Sequence, residues 1–227
     1  MSASDAESHD IYRERYHHKD LYRRSAEIPK EIKYLNFWRK QNSHIGIGQL
    51  ESLEHLTATS VNDSFLDEIC RLKTLDSLVL SKIEVEDIGR LEGLPNLRYL
   101  ALVKCKPCEG LDRLKDMPSL KKLWIKESKE ITDYWFLKGA KKLVALGVEG
   151  DIWTKQQVDS LEPFSNMLEL EALFMSSVQL KDKNLDYVAS NPKLKYFSVA
   201  RFAPKSSFDQ LRVIRPDLKC RWFDNYD

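Results

Sequence analysis

No apolar run in this sequence approaches the ~20 residues needed to span a bilayer, so no transmembrane helix and no membrane partner are expected. The opening stretch, MSASDAESHDIYRERYHHKD, lacks the apolar centre of a secretory signal and reads as the start of a cytoplasmic protein. An excess of one charge is also missing. With 36 basic and 35 acidic residues the formal net charge is +1, which gives no case for a chain drawn to nucleic acid or membrane by its overall field. Cysteine is sparse: four in 227 residues do not make a disulfide framework. Cys70, Cys105, Cys108 and Cys220 read as mostly buried thiols in a reducing compartment.

What is present is core-forming material. Apolar residues make up 42% and charged residues 31%, a composition that folds rather than stays disordered. In LRYLALVKC, Leu97, Leu100 and Leu102 follow the order L-x-x-L-x-L, with Cys105 three residues beyond. The order returns as Leu120, Leu123 and Ile125, and upstream as Leu75, Leu78 and Leu80. The first apolar residues of successive units are Ile32, Leu53, Leu75, Leu97, Leu120, Leu143, Leu170, Leu194 and Leu218, spaced by 21, 22, 22, 23, 23, 27, 24 and 24 residues. Nine units offer 27 core positions and only Arg221 among them is not apolar, whereas composition alone would make about 11 apolar.

The spacing predicts a short strand in each unit, pointing residues such as Leu97, Leu100 and Leu102 inward and Tyr99 and Ala101 to the other face. One unit cannot bury its apolar edge alone, so the units must stack. FLDEICRL (65–72), SFDQLRVIR (207–215), DIGRLEGL and LDRLKDM have helical spacing and read as outer returns. Pro95, Pro118, Pro192 and Pro216 close four returns, each two residues before the next unit. The longest unit contains IWTKQQVDSLEPF, expected as a longer helix with Trp153 packed inward. Residues 1–28 read as a polar N-terminal segment, disordered over the first eight or so residues and a cap in its later half. Residues 29–217 read as the repeat array, and 218–227 as a charged C-terminal cap strand that blunts the sheet edge.

Over roughly residues 30–227 these units resemble the leucine-rich repeat superfamily. Returns such as I-x-x-L-x-x-L-P-x-L, Ile88 to Leu97, are most similar to the irregular repeats of internalins and phosphatase-regulatory subunits. The sequence departs from that pattern at the asparagine position after each strand, which here reads Lys40, Val61, Ile83, Cys105, Ser128, Asp151, Val178, Phe202 and Tyr226. The resemblance implies an α/β leucine-rich-repeat solenoid, with a parallel β-sheet on the concave face and short helices or turns on the convex face. It further implies recognition of proteins on the concave sheet.

The residues between the leucines then become the candidate site. Tyr99, Trp124, Phe174 and Tyr196 put aromatics on a sheet face expected to meet solvent, and exposed aromatic clusters mark interaction sites. The competing reading is that they cover one another or lie beneath a loop. Arg98, Lys104, Lys106, Lys121, Lys122 and Lys126 surround Trp124. Such a set suits an acidic protein patch or ordinary solvated charge better than stacked bases and phosphates, since Glu127, Glu149 and Glu171 lie close by. The expected protein-binding set is Tyr99, Trp124, Phe174, Tyr196, Lys122 and Lys126.

Other motifs carry weaker signals. Cys105-Lys-Pro-Cys108 is a C-x-x-C that could support thiol exchange or supply half a zinc site, but it has no second pair. His9, His17 and His18 lie in a charged segment, and Gly46 and Gly48 beside His44 lack the context of a phosphate loop. No stretch suggests convergent catalytic groups, a cofactor or a metal site. The reading is a monomeric, non-catalytic module that binds a protein, possessing no resident cofactor. Two alternatives stay open: an inhibitor or immunity-type protein that neutralises a toxin or enzyme, and a redox or metal protein using Cys105 and Cys108.

Overall fold

The computed structural model describes Tyr12, Arg13 and residues 20–226. Among these residues nine strands form one parallel sheet in chain order: β1 (Leu21–Tyr22), β2 (Tyr34–Trp38), β3 (His55–Asn62), β4 (Ser77–Glu84), β5 (Tyr99–Cys105), β6 (Lys122–Lys126), β7 (Ala145–Glu149), β9 (Ala172–Met175) and β11 (Tyr196–Val199). Two short strands, β8 (Gln156–Val158) and β10 (Val178–Leu180), pair separately on the return side. Among the described residues after β1, three α-helices, α1 (Asp63–Cys70), α2 (Asp186–Ala189) and α3 (Lys205–Ile214), and several 3-10 turns complete the returns. Among the described residues no helix is long and apolar enough to cross a membrane.

The repeat spacing sets the register directly. Leu56 pairs with Leu78, Leu78 with Leu100, Leu100 with Leu123 and Leu123 with Leu146, so equivalent leucines stack into one continuous core. All the apolar repeat positions are buried except Ile32 and Phe223, which are partly so. Each fully buried leucine contributes about 2 kcal/mol of transfer free energy, and a strand shifted by one residue would forfeit it. One carbonyl per unit accepts two amides of the next: Glu54 O from Asp76 and Ser77, Asp76 O from Arg98 and Tyr99, and Arg98 O from Lys121 and Lys122.

The returns divide as the helical segments suggested. FLDEICRL lies in α1, where Asn62 caps the helix by accepting from Phe65 N at 3.1 Å. SFDQLRVIR lies in α3, while Ile88–Gly93 and Leu111–Asp116 tighten into 3-10 turns.

Two features replace the missing asparagines. The backbone turns left-handed at Ser60, Lys82, Lys104, Glu127 and Ser177, the seventh residue after the unit marker in each case. A non-glycine residue held there costs about 1 kcal/mol, and the next residue, such as Val61, Ile83 or Cys105, then turns into the core. Further along, Ser128 Oγ accepts from Cys105 N at 3.0 Å, and Gln156 Oε1 accepts from Ser128 N at 3.0 Å. Gln156 Nε2 donates to the carbonyls of Ser128 (3.1 Å) and Ile131 (2.8 Å). Side chains from two units thus satisfy backbone groups that would otherwise be buried without partners.

Three sequence-based expectations need correction. The long return is not a helix: IWTKQQV forms an exposed loop and β8, and Trp153 is 88% exposed rather than packed inward. Asp151 Oδ1 accepts from the amides of Trp153 and Thr154, which holds the loop outward. The ninth unit makes only a bridge from Lys219 to Tyr196 and a 3-10 turn over Arg221–Phe223, not a full strand. There the closure is aromatic: Trp222 Nε1 donates to Val199 O at 2.7 Å and Tyr226 Oη to Ala203 O at 2.8 Å. At the other end a strand precedes the array, since β1 pairs with β2 through Leu21 and Asn36. The expectation for the first eight residues lies outside the described residues.

Candidate protein-binding face

The middle of the concave face holds a second apolar cluster, separate from the leucine core: Tyr99, Ala101, Trp124, Ala145, Ala172, Phe174 and Tyr196. Small residues make its geometry. Trp124 on β6 sits between Ala101 on β5 and Gly147 on β7 in register. A Cβ at Gly147 would overlap the indole Nε1, so glycine is what lets the ring lie flat across the neighbouring strand. The indole centroid is 5.6 Å from Tyr99 and 5.5 Å from Phe174. All four expected anchors therefore belong to one surface.

That surface is not open to solvent as the sequence suggested. Trp124 and Phe174 are at most 1% exposed, and Tyr99 and Tyr196 are 6% exposed. The chain's own Tyr12 and Arg13 lie on the aromatics. The Tyr12 ring meets Tyr196 edge-on at 5.7 Å and Phe174 at 6.5 Å. The Arg13 guanidinium lies 5.2 Å from the Phe174 centroid and 5.9 Å from that of Trp124. The reading in which something covers the aromatics is the one observed.

Two carboxylates anchor this pair. Tyr12 Oη donates to Glu171 Oε2 at 2.6 Å, and Arg13 Nη2 donates to Glu149 Oε1. Glu149 is buried and also accepts from Ser176 Oγ at 2.9 Å, with Lys126 Nζ 3.3 Å away. The Tyr12 hydroxyl holds Glu171 below the usual carboxylate range, helped by Lys195 at 3.1 Å. Sequence reasoning missed Tyr12 and Arg13 and treated Glu149 and Glu171 only as neighbours. The interleaved tyrosines and charges of IYRERYHH were the available signal.

The basic residues are largely matched by acids. Lys126 is paired with Glu149, Lys104 with Glu127 at 3.2 Å, and Arg98 with Asp76. Lys122 is half-buried in the row between Tyr99 and Ala145.

The remaining motifs resolve differently. Gly46 N and Gly48 N donate to Glu68 Oε2 at 3.0 and 2.9 Å, so the glycine loop holds an internal carboxylate where a phosphate loop would hold its ligand. His44 is buried, with Nε2 2.9 Å from Ser64 Oγ, and burial lowers its pKa. Cys105 and Cys108 are both free thiols. Their mutual hydrogen bond, and then burial, push Cys105 up, while the same bond pulls Cys108 down. Among the described residues no group of three or more His, Cys, Asp or Glu side chains is placed to hold a metal. His9, His17 and His18 lie outside the described residues.

No family model matches the chain, and no curated protein matches it. Among solved structures, a leucine-rich-repeat protein of Leptospira interrogans shares 18% identity at a TM-score of 0.53, over 88% of this chain and 57% of its own. The fold is the leucine-rich repeat. Two internalins of Listeria monocytogenes, an internalin (inlF) and an internalin C2, are each 20% identical, with TM-scores of 0.46 and 0.48. They cover 84% and 73% of this chain, matched over 60% and 70% of their own. The chain thus spans well under two thirds of the Leptospira protein and of the first internalin. These likenesses speak to the fold alone.

Proposed function

We propose that this chain is a non-catalytic, monomeric protein-binding module that takes its partner on the concave sheet. One observation carries the reading: an aromatic floor of Tyr99, Trp124, Phe174 and Tyr196, outside the leucine core, with small residues making room for it. The solenoid closes without these four side chains, since the leucine core is continuous beneath them. Large, rigid aromatics supply contact area at low entropic cost, and a stiff repeat array has little to order on binding. Lys122 and Lys126 stand beside the floor, Lys126 paired with Glu149, and border the surface a partner would meet. The four free thiols suit a reducing compartment such as the cytoplasm.

Capture from native lysate tests this. Wild type is compared with a Trp124→Ala, Phe174→Ala variant shown by circular dichroism to remain folded, and with Val213→Glu on α3, where Val213 is 82% exposed. The proposal expects one protein retained by wild type and Val213→Glu and lost by the concave variant. Retention by the concave variant with loss on Val213→Glu overturns it.

A second reading has one observation in its favour, a half-buried free thiol at Cys108 three residues after the buried free thiol of Cys105. Thiol alkylation across pH separates the two. Cys108 reacting below the pH range of an ordinary thiol, with reversible disulfide formation, supports thiol chemistry, and two inert thiols remove it.

A further inference from the structure

We infer that Tyr12 and Arg13 act as an internal ligand of the concave face, and that the external partner presents the same chemistry: a phenol beside a guanidinium on a peptide segment. This rests on the reading of the concave face as a protein-binding surface, and it names what that surface takes.

The floor specifies this pair. Aromatic rings from three strands accept the Tyr12 ring and the Arg13 guanidinium at the distances of ring–ring and cation–π contacts. Glu171 accepts a hydrogen bond from the phenol and Glu149 one from the guanidinium, each a charge-assisted bond. An acidic segment would bring like charge onto these two carboxylates, and repulsion is strong at the buried Glu149. The chemistry of the floor thus favours a basic, aromatic segment over an acidic one.

The internal fit is also incomplete. Trp124 Nε1 is buried and, among the described residues, has no hydrogen-bond partner, and neither does Arg13 Nε. A buried indole N–H usually finds an acceptor, and leaving a donor unmatched is costly. A segment whose backbone carbonyls reach these donors would bind better than the chain's own pair does, which makes the pair displaceable. The contacts join residues 159 and 136 positions apart in sequence and lie outside the leucine core, so their release need not open the solenoid.

The test uses a labelled peptide of residues 6–18, AESHDIYRERYHH, titrated by fluorescence anisotropy into full-length protein. A tethered ligand competes at an effective concentration on the order of mM, so wild type should bind the free peptide weakly. The Tyr12→Ala, Arg13→Ala variant, its own pair removed, should bind at least tenfold more tightly. Adding Glu149→Gln and Glu171→Gln to that variant should abolish the gain. Equal binding by the double variant and wild type overturns the inference. So does equally tight binding of the same peptide carrying Arg13→Glu and Arg15→Glu. Failure of the double variant to fold, seen by circular dichroism and melting, also overturns it, because the pair would then be part of the fold. These failures leave the concave-face reading standing as long as the captured partner is still lost on Trp124→Ala, Phe174→Ala. If that dependence is absent, the reading itself fails whatever the peptide does.

Discussion

Trp124 lies flat across Gly147, its partner in the neighbouring strand, so closely that glycine alone leaves room for the indole. The relationship ties sequence to surface: the smallest residue on β7 sets the orientation of the largest on the concave face. Gly147→Ala should therefore cost about 1–3 kcal/mol by overpacking and push the indole out toward Tyr12 and Arg13. Denaturant unfolding measures the loss. A Trp124→Leu change in the Gly147→Ala background should recover part of it, whereas a purely backbone effect of the alanine would not be rescued.

Gln156 and Trp153 sit three residues apart in one return and should respond in opposite ways. Gln156 is 1% exposed and bonds the backbone of Ser128 and Ile131. Gln156→Leu strands an amide and two carbonyls, and a loss of about 2–4 kcal/mol is expected. Trp153 is 88% exposed, so Trp153→Ala should change stability by no more than about 0.5 kcal/mol. Thermal or urea melts of the two variants decide both points.

Acid should loosen the molecule at two places in the same sense. The Tyr12 hydroxyl, with Lys195, lowers the folded pKa of Glu171, so its contribution is complete above the ordinary carboxylate value and is lost as pH falls through the lowered one. Burial, then Arg39, lowers the folded pKa of His44, so the native state prefers the neutral ring. Stability from His44 is full above the ordinary histidine value and declines as pH falls from there toward the lowered folded value. Urea midpoints measured from pH 7.5 downward should drop first in the histidine range and again in the carboxylate range. His44→Gln should remove the first drop and Glu171→Gln should diminish the second.

The leucine positions were legible because parallel stacking demands the same residue class at the same place in every unit, as in Leu56, Leu78, Leu100, Leu123 and Leu146. The aromatics of the concave face were legible for a related reason: strand alternation places Tyr99 and Trp124 opposite the leucines whatever else the chain does. What covers them was not. Tyr12 meets Glu171 across 159 residues, and no local period encodes that contact. The substitutes for the asparagine ladder were hidden similarly, since Gln156 serves Ser128 from 28 residues away. The long return misled because IWTKQQV carries helical spacing, while Asp151 ties the amides of Trp153 and Thr154 into an open loop.

The most direct measurement is site-specific photo-crosslinking to the captured partner. A photoreactive residue replaces Lys122 on the concave sheet in one chain and the exposed Val213 on α3 in another. Crosslinks from position 122 and none from position 213 are the expected result, with the joined partner peptide carrying an aromatic beside an arginine. Crosslinks from position 213 alone would place the partner on the outer helices and contradict the concave face as the binding surface.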